Sequence, residues 1–427
     1  MAVYKPFKAV RPALSRAEEV AALPYDVMNS EEARECVKGR PWSFLHVDKA
    51  EVDLDPSVGL YDASVYQKAS ENLQKMIKEG VLVKEEKPVF FIYREQMGKR
   101  IQAGIVGCAS IDDYLNNIIK KHELTRADKE ADRIRHVDVC NANTGPIFLT
   151  FRSDGTVEKM TEDWMASHKP LYDFTSDDGV RHTVYRIDDG DTVRKIEEKL
   201  DKVPAFYIAD GHHRAASAVR VGQMRRKTKP DYSGEEEFNY FLSVLFPSSE
   251  LSILDYNRVV KDLNGKSPEE FLREAGKKFD IKELEPMAFE HDGMTEEALE
   301  KYRPSKKHET GVYMGGKWYL FTAHEDALDE NDPVARLDVS ILQNNLLSPV
   351  LGIGDPRTDE RISFIGGIRG LKELVRLVDE GAAAAFAMYP TTLDDLMAIA
   401  DAGKIMPPKS TWFEPKLRSG LFIHELS

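Results

Sequence analysis

The segment 205–216 constrains the fold more than any other stretch of the chain. Residues 205–209 are apolar and predict a short buried strand, which ends at Asp210 and Gly211. The small residues of 214–221 predict a closely packed helix. A strand, a glycine turn and a helix N-terminus bring unpaired backbone N–H groups together at the positive end of the helix dipole. We therefore predict a layered α/β or α+β core around an anion-binding turn.

Composition narrows the class of protein. A chain of 427 residues can bury a large core and divides into roughly two or three structural units. The formal net charge of −14 argues against a protein that coats nucleic acid, so we expect no nucleic-acid partner. An anionic ligand would then need a local positive pocket, which makes clustered cationic residues informative.

The cysteines and the hydropathy pattern bear on the compartment. Cys36, Cys108 and Cys140 are odd in number and lack metal-type spacing, so we expect a reduced protein without a disulfide framework. Because the sequence shows no apolar leader and no run of about 18 apolar residues, we expect neither a signal peptide nor a membrane span. These features favour a cytoplasmic protein and leave room for a homo-oligomer.

Hydrophobic periodicity predicts strands and helices along the whole chain. The runs 88–94 and 100–108 predict an antiparallel hairpin, and 180–187 predicts a strand on which His182 is exposed. Apolar spacing predicts a helix over 334–347.

From these patterns we predict an α+β fold of mixed α/β layers in three segments. Residues 1–250 form the catalytic core with an N-terminal elaboration, and 251–332 form a supporting α+β subdomain without a catalytic cluster. Residues 333–427 form a C-terminal α/β segment that returns to the core.

The polar segment 118–126 is the second place where chemistry is expected. Lys121, His122 and Glu123 precede a predicted helix at 128–139, so they lie on a loop or strand end. Loops of this kind commonly carry function. A charged, solvated approach to the helix is the alternative for any one of these residues taken alone.

The C-terminal segment 406–416 combines prolines, lysines, hydroxyls and aromatic rings. It allows two interpretations. It either closes as a lid over a pocket, with Lys409, Thr411 and Lys416 near an anion, or packs on the core as a strap.

Several familiar catalytic motifs are absent from the sequence. The phosphate-loop and dinucleotide glycine patterns, the nucleophile elbow and the His-Glu-x-x-His spacing do not occur. Phosphoryl transfer fits the remaining residues, because it needs positive groups, backbone donors, Mg²⁺ and one carboxylate beside the attacking hydroxyl. Either Glu123 or Asp210 could supply that carboxylate. A metal-dependent phosphohydrolase is the alternative, with the two histidines of the turn joining these carboxylates around a metal.

Three motifs together resemble a known family. They are Asp-Gly-His-His-Arg at 210–214, Lys-His-Glu-Leu-Thr at 121–125 and Leu-Pro-Tyr-Asp at 23–26. The chain is similar to the family catalogued as domain of unknown function 1015, over nearly its full length from 7–12 to 419–422. Members of that family resemble the free L-serine kinases of the ParB/sulfiredoxin-like superfamily.

The resemblance implies a ParB/sulfiredoxin-like core with an additional α+β subdomain, and a kinase acting on free L-serine or a similar metabolite. It implies Mg²⁺ as cofactor and ATP, ADP or pyrophosphate as phosphate donor. The implied catalytic residues are Glu123 as general base, Asp210 and His212. The residues implied to bind phosphate or nucleotide are Gly211, His213, Arg214, Lys121, His122 and Thr125. A nucleotide-binding regulatory protein is the alternative outside the enzymes.

Overall fold

The computed structural model describes residues 1–286 and 295–427, which form two units. Unit 1 comprises Met1–Leu251 and Pro415–Ser427, and unit 2 comprises Ser252–Glu414. The expected boundary between 332 and 333 does not separate two units, and of the C-terminal segment only Pro415–Ser427 belongs to unit 1. Within the expected 251–332 subdomain, residues 287–294 lie outside the described part of the chain.

Helices and strands alternate in both units, which confirms the predicted mixed α/β layers. The α-helices are α1 (Ala17–Val20), α2 (Ser30–Cys36), α3 (Leu45–Asp48), α4 (Ala63–Lys78), α5 (Ile111–Leu115), α6 (Ala127–Cys140), α7 (Thr156–Ser167), α8 (Gly190–Leu200), α9 (His212–Thr228), α10 (Pro268–Ala275), α11 (Glu296–Leu299), α12 (Asp338–Leu342), α13 (Gly370–Asp379) and α14 (Leu393–Asp401). The strands are β1 (Tyr4–Lys5), β2 (Val10–Pro12), β3 (Leu82–Lys84), β4 (Phe90–Met97), β5 (Arg100–Ser110), β6 (Ile119–Lys120), β7 (Ala142–Asn143), β8 (Ile147–Phe151), β9 (Tyr172–Thr175), β10 (Arg181–Ile187), β11 (Phe206–Asp210), β12 (Tyr240–Pro247), β13 (Ile253–Leu254), β14 (Tyr256–Val260), β15 (Phe279–Glu283), β16 (Glu309–Met314), β17 (Lys317–Ala323), β18 (Ile362–Gly366), β19 (Ala384–Met388), β20 (Trp412–Phe413) and β21 (His424–Glu425).

Unit 1 is built on a nine-stranded sheet. Eight of its strands lie in the order β6-β11-β8-β12-β5-β4-β10-β9, and the ninth, β1, pairs with β5. The hairpin of β4 and β5 is the predicted one, with Met97 opposite Arg100. Strand β6 runs parallel to β11 at the edge of the sheet. Because parallel strands end at the same side of a sheet, the segments that follow β6 and β11 start next to each other.

Helix α9 begins two residues before the predicted start and packs closely because its buried side consists of small residues. Ala215, Ala218 and Val219 belong to the main apolar core of unit 1. A Cβ on Gly222 would lie 2.4 Å from the carbonyl oxygen of Phe238, so only glycine permits this approach. The small residues of this helix therefore allow it to pack at a short distance from its neighbours.

His182 is buried, which corrects the expectation of an exposed position. Strand β10 lies inside the sheet between β4 and β9. The Nδ1 atom of His182 is 2.8 Å from the hydroxyl of Tyr93, and Arg418 Nε donates to its Nε2 at 3.2 Å. Strand alternation predicts two faces but not which one a C-terminal segment covers, and here the segment with Arg418 covers this face.

Unit 2 is built on an antiparallel six-stranded sheet with the order β15-β17-β16-β19-β14-β18. The predicted hairpin is β16 and β17, joined by Gly315 and Gly316 at positive φ. The helix predicted over 334–347 begins only at Asp338 and continues as a π-helix over Gln343–Leu347. The Asp332 carboxylate accepts the N–H of Val334 and starts a separate turn, and the extended backbone of Leu337 (φ −65°, ψ 139°) divides this turn from α12.

None of the helices in the described ranges combines the length and the apolarity that crossing a bilayer requires.

Candidate functional site

The two polar segments singled out in the sequence meet beside the N-terminus of α9. The backbone N–H of His122 donates to His212 Nε2 at 3.5 Å, and the two imidazole rings lie edge to face with centroids 4.4 Å apart. Glu123 Oε2 is 3.6 Å from His212 Nδ1. The side chain of Glu123 is 56% exposed, so its carboxylate faces both the turn and solvent.

The first turn of α9 has no side-chain cap. Gly211 precedes it with φ 91° and ψ 31°, a left-handed conformation that favours glycine. The ladder between β11 and β8 shifts register between Ile208 and Asp210, which bends the strand just before the turn. Because no side chain of the described residues accepts the first N–H groups of α9, these groups remain donors for an anion.

Asp210 is an anchored carboxylate. Its Oδ1 accepts the N–H of Gly211 at 2.8 Å, and its Oδ2 accepts Lys416 Nζ at 2.9 Å. Desolvation opposes its charge, but Lys416 and Arg214 outweigh it and hold the pKa of Asp210 well below its usual range. Asp210 therefore stays ionised and organises the turn.

The three residues expected to form a lid do not all belong to the same unit. Lys416, in unit 1, forms the ion pair with the Asp210 carboxylate. Lys409 and Thr411 belong to unit 2, where the Lys409 ammonium lies 5.7 Å from the ring centre of Tyr256.

The three histidines of the site are neutral for a common reason. Burial lowers the pKa of His122 to about 4 and, helped by His122 itself, lowers the pKa of His212 well below its usual range. Burial also lowers the pKa of His213. His213 Nε2 accepts the N–H of Arg126 at 3.0 Å, so this ring closes the start of α6.

Lys121 and Thr125 hold the loop between β6 and α6. The Lys121 ammonium donates to the Tyr114 carbonyl at 2.9 Å and lies 4.1 Å from the centre of the Tyr114 ring. Burial lowers the pKa of Lys121. The Thr125 hydroxyl donates to Glu130 Oε2 at 2.8 Å. Their described contacts therefore position the loop.

Arg214 lies between the turn and a cavity. Its Nη1 donates to the Pro146 carbonyl at 2.6 Å, whereas its buried Nε has no hydrogen-bond partner among the described residues. A Cβ on Gly211 would lie 3.3 Å from the Arg214 guanidinium, so the missing side chain leaves more room on this side of the guanidinium.

The cavity beside Arg214 has a volume of about 30 Å³ and a polar lining that includes Tyr25, Asp48, Arg133, His136, Asn143 and Thr144. Room of this size holds roughly two water-sized groups.

The charged groups of this cavity are buried. The Arg133 guanidinium lies 4.1 Å from the centre of the Tyr25 ring, and the Thr144 hydroxyl donates to Asp48 Oδ1 at 2.7 Å. Burial raises the pKa of Tyr25 to about 12, so its hydroxyl stays protonated. The sequence shows Tyr25 within the Leu-Pro-Tyr-Asp motif but indicates no role for it. It does not predict Asp48 and Arg133 as site residues, because they carry no local signal.

The donor set near the turn does not match Mg²⁺, which prefers oxygen ligands. Asp210 is already held by Lys416 and Gly211. The other carboxylate, Glu123, lies with two imidazoles, a combination typical of zinc and other transition metals. The described residues therefore do not form a protein-built Mg²⁺ site at this turn.

The fold and the site define a mixed α/β protein with an uncapped helix N-terminus beside a small polar cavity. A family model described as "Protein of unknown function (DUF1015)" matches residues 4–340. The chain belongs to this family. No curated protein matches its sequence.

Several solved structures are distantly similar to the chain. A free serine kinase in complex with AMP is 14% identical, with coverage of 76% of this chain and 93% of that one and a TM-score of 0.32. A C-terminally truncated SbnI from Staphylococcus aureus is 11% identical, with coverage of 72% and 82% and a TM-score of 0.36. A conserved hypothetical protein from Pyrococcus furiosus is 14% identical, with coverage of 76% and 96% and a TM-score of 0.33. Similarity at these TM-scores does not identify the chemistry of this chain. That chemistry is inferred from the residues of the site.

Proposed function

We propose that this protein is a phosphotransferase that moves a phosphoryl group from a nucleotide to the hydroxyl of a small metabolite, free L-serine in the first place. The observation that carries the proposal is the arrangement at the start of α9. An uncapped helix N-terminus and a left-handed Gly211 coincide there with the Nε of Arg214, for which the described residues offer no partner. Backbone donors and a guanidinium are the groups that phosphoryl transfer uses to stabilise charge.

The phosphates of the donor would bind at this helix N-terminus. The free N–H groups of the first turn suit phosphate oxygens, and Arg214 can offer its guanidinium to an oxygen of the same group. The donor, ATP, ADP or pyrophosphate, would bring Mg²⁺ as its own counterion. That ion, bound mainly by phosphates, would neutralise charge on them.

The acceptor would occupy the cavity beside Arg214. Free L-serine carries a carboxylate and an ammonium group. Arg133 can pair with the carboxylate, and Asp48, buried on the same lining, can accept from the ammonium. The volume of about 30 Å³ has room for only a few water-sized groups, so the lining would have to move apart to admit serine and would exclude a larger acceptor.

Glu123 would act as the general base. The serine hydroxyl oxygen attacks the terminal phosphorus, its proton passes to Glu123, and the bond from that phosphorus to the bridging oxygen of the donor breaks. Neutral His212, 3.6 Å from the Glu123 carboxylate, can orient it. Asp48 is the competing base, because it lies in the cavity wall.

Incubation of the purified protein with L-serine, Mg²⁺ and each donor in turn tests the proposal. We expect O-phosphoserine, detected by mass spectrometry, with one of the three donors. A well-folded protein that forms no phosphorylated product with any donor would refute the serine kinase. Nucleotide binding without turnover would favour the regulatory alternative.

Two variants separate the candidate bases. Glu123→Gln keeps the shape of a half-exposed side chain and is expected to lower the rate by about 10²–10⁴-fold, the usual contribution of a general base. Asp48→Asn is expected to raise the KM for serine more than it lowers kcat. The opposite pattern, with a fully active Glu123→Gln, would assign the base to Asp48.

A further inference from the structure

Three potential metal ligands from separate parts of the chain converge beside α9. The ligand atoms of His122, Glu123 and His212 all lie within 4.8 Å of one another. His122 and Glu123 follow β6, and His212 opens α9 after β11, so the parallel pairing of these strands creates the cluster. His213, the neighbour of His212, is not part of it.

His122 gives this cluster an unsatisfied group. The residue is 2% exposed, and neither of its ring nitrogens makes a hydrogen bond of normal geometry within the described chain, although the ring lies near the backbone of Ile208. A buried polar group without a partner destabilises the fold, because the loss of its hydration is not compensated. The neutral ring carries a lone pair on one nitrogen, which is the form that binds a metal.

The donor set selects the class of metal. Two imidazole nitrogens and one carboxylate oxygen are the three protein ligands found in catalytic zinc sites of the His₂Glu type. Ligand atoms that share one zinc ion lie about 2.0–2.2 Å from it, so the three groups need only a small approach to one another. Glu123, which is 56% exposed, can make this movement and leaves one side of the cluster open to solvent.

We propose that His122, Glu123 and His212 bind one divalent transition metal ion, Zn²⁺ or an ion of similar preference, with an open position for water or a phosphate oxygen. The ion would satisfy the unpartnered ring of His122. It would also attach the loop after β6 to the first residue of α9.

This inference goes beyond the proposed phosphotransfer and does not require it. A carboxylate bound to a metal does not offer the same lone pair to a substrate hydroxyl, so the two roles of Glu123 belong to different states of the protein. Metal binding is measured without substrate, and phosphotransfer is measured with a chelator that removes transition metals. Either result can fail while the other holds.

The test is a titration of the full chain after removal of metal by dialysis against a chelator. Zn²⁺ binding is followed by calorimetry, and Co²⁺ binding by its visible absorption, which reports nitrogen and oxygen ligands directly. We expect one equivalent per chain. His122→Gln and Glu123→Gln are expected to weaken binding by at least about 100-fold, beyond the loss seen when only a ligand's supporting partner is removed.

His213→Gln is the matched control, because it removes a neighbouring imidazole that contacts Arg126 and lies outside the cluster. It is expected to keep the full equivalent and the same Co²⁺ spectrum. Absence of a bound equivalent in the unmodified chain overturns the proposal. So does unchanged binding in Glu123→Gln, whose half-exposed side chain makes a folding defect an inadequate explanation, or equal loss in His213→Gln.

Discussion

Two helices follow a buried strand and begin in opposite ways. In unit 1, α9 starts after β11 with Gly211 in the left-handed region and no side-chain cap. In unit 2, α14 follows β19 and starts with a capping box, in which Thr392 accepts the N–H of Asp395 and Asp395 accepts the N–H of Thr392. Asp395 also pairs with Lys307 and Arg336.

The N–H groups at the start of α9 are available to a ligand, whereas the start of α14 is capped by its own side chains. The capping box of α14 uses the donors that an anion would need, and its acidic residues would repel one. At α9 no side chain in the described part of the chain uses those donors, and the Arg214 guanidinium adds an Nε without a partner in the same part. An uncapped, cation-lined helix start is therefore a better indicator of a phosphate site than the strand-to-helix order alone.

Among the variants that test the difference between the two helix starts, the largest effect is expected from Arg214→Lys. Lysine keeps the positive charge but loses the planar fork that binds phosphate oxygens, so we expect nucleotide affinity or phosphotransfer to fall by about 100-fold. Isothermal titration calorimetry with the preferred donor measures the nucleotide affinity. Arg376→Lys, on the exposed surface of α13 in unit 2, is the control and should leave both unchanged. If Arg214→Lys binds the nucleotide as tightly as the unmodified protein, the Arg214 guanidinium does not contribute to the proposed site.

Gly211→Ala addresses the turn itself. The left-handed backbone makes alanine unfavourable by about 1–2 kcal/mol, and its Cβ would press on the Arg214 guanidinium at 3.3 Å. We expect a loss of stability and about a tenfold loss of nucleotide affinity. Gly403→Ala after α14 has the same kind of φ, 64°, and open space around its Cβ. It should show a similar loss of stability in thermal unfolding and full affinity. Equal affinity losses in both variants would contradict a role for the turn.

Asp338, in the first turn of α12, provides a pH-dependent contrast to Asp210. Burial raises the pKa of Asp338 to about 7, whereas cations keep Asp210 ionised. The folded state then holds the Asp338 proton more tightly than the unfolded state, so stability is lost as pH rises from about 4 through 7. The free energy of unfolding of Asp338→Asn should therefore exceed that of the unmodified protein by roughly 1–2 kcal/mol at pH 8 and by little at pH 4. Urea unfolding at both pH values measures this, and an equal difference at both would contradict it.

The smallest effect is expected from Thr392→Ala, which removes the side-chain acceptor of the α14 capping box. Loss of an N-cap costs about 1 kcal/mol. We expect that decrease in the free energy of unfolding and no change in nucleotide affinity, because the donors of this helix serve the fold alone. A Thr392→Ala variant with weaker nucleotide binding would end the distinction between the two helix starts.

Local patterns in the sequence were sufficient for much of the fold. The strand before Gly211, the hairpin of β4 and β5 and the hairpin of β16 and β17 follow from apolar periodicity and glycine turns. The mixed α/β class follows from their order. Such features depend on interactions between residues close in sequence, which a single sequence displays directly.

The composition of the site depended on contacts between distant residues. The parallel pairing of β6 with β11 sets Glu123 and His122 against His212. Lys121 and Thr125, two of the expected phosphate ligands, make hydrogen bonds to Tyr114 and Glu130. No local signal predicts a two-residue edge strand or its partner.

The sequence by itself therefore determined that a strand, a glycine turn and an uncapped helix would meet. Only the tertiary structure decided which side chains surround that turn. Asp48 and Arg133 join Arg214 around the cavity, Lys416 neutralises Asp210, and His182 becomes buried. The physical reason is that backbone geometry follows from neighbours along the chain, while the charge, burial and ligands of a site follow from neighbours in space.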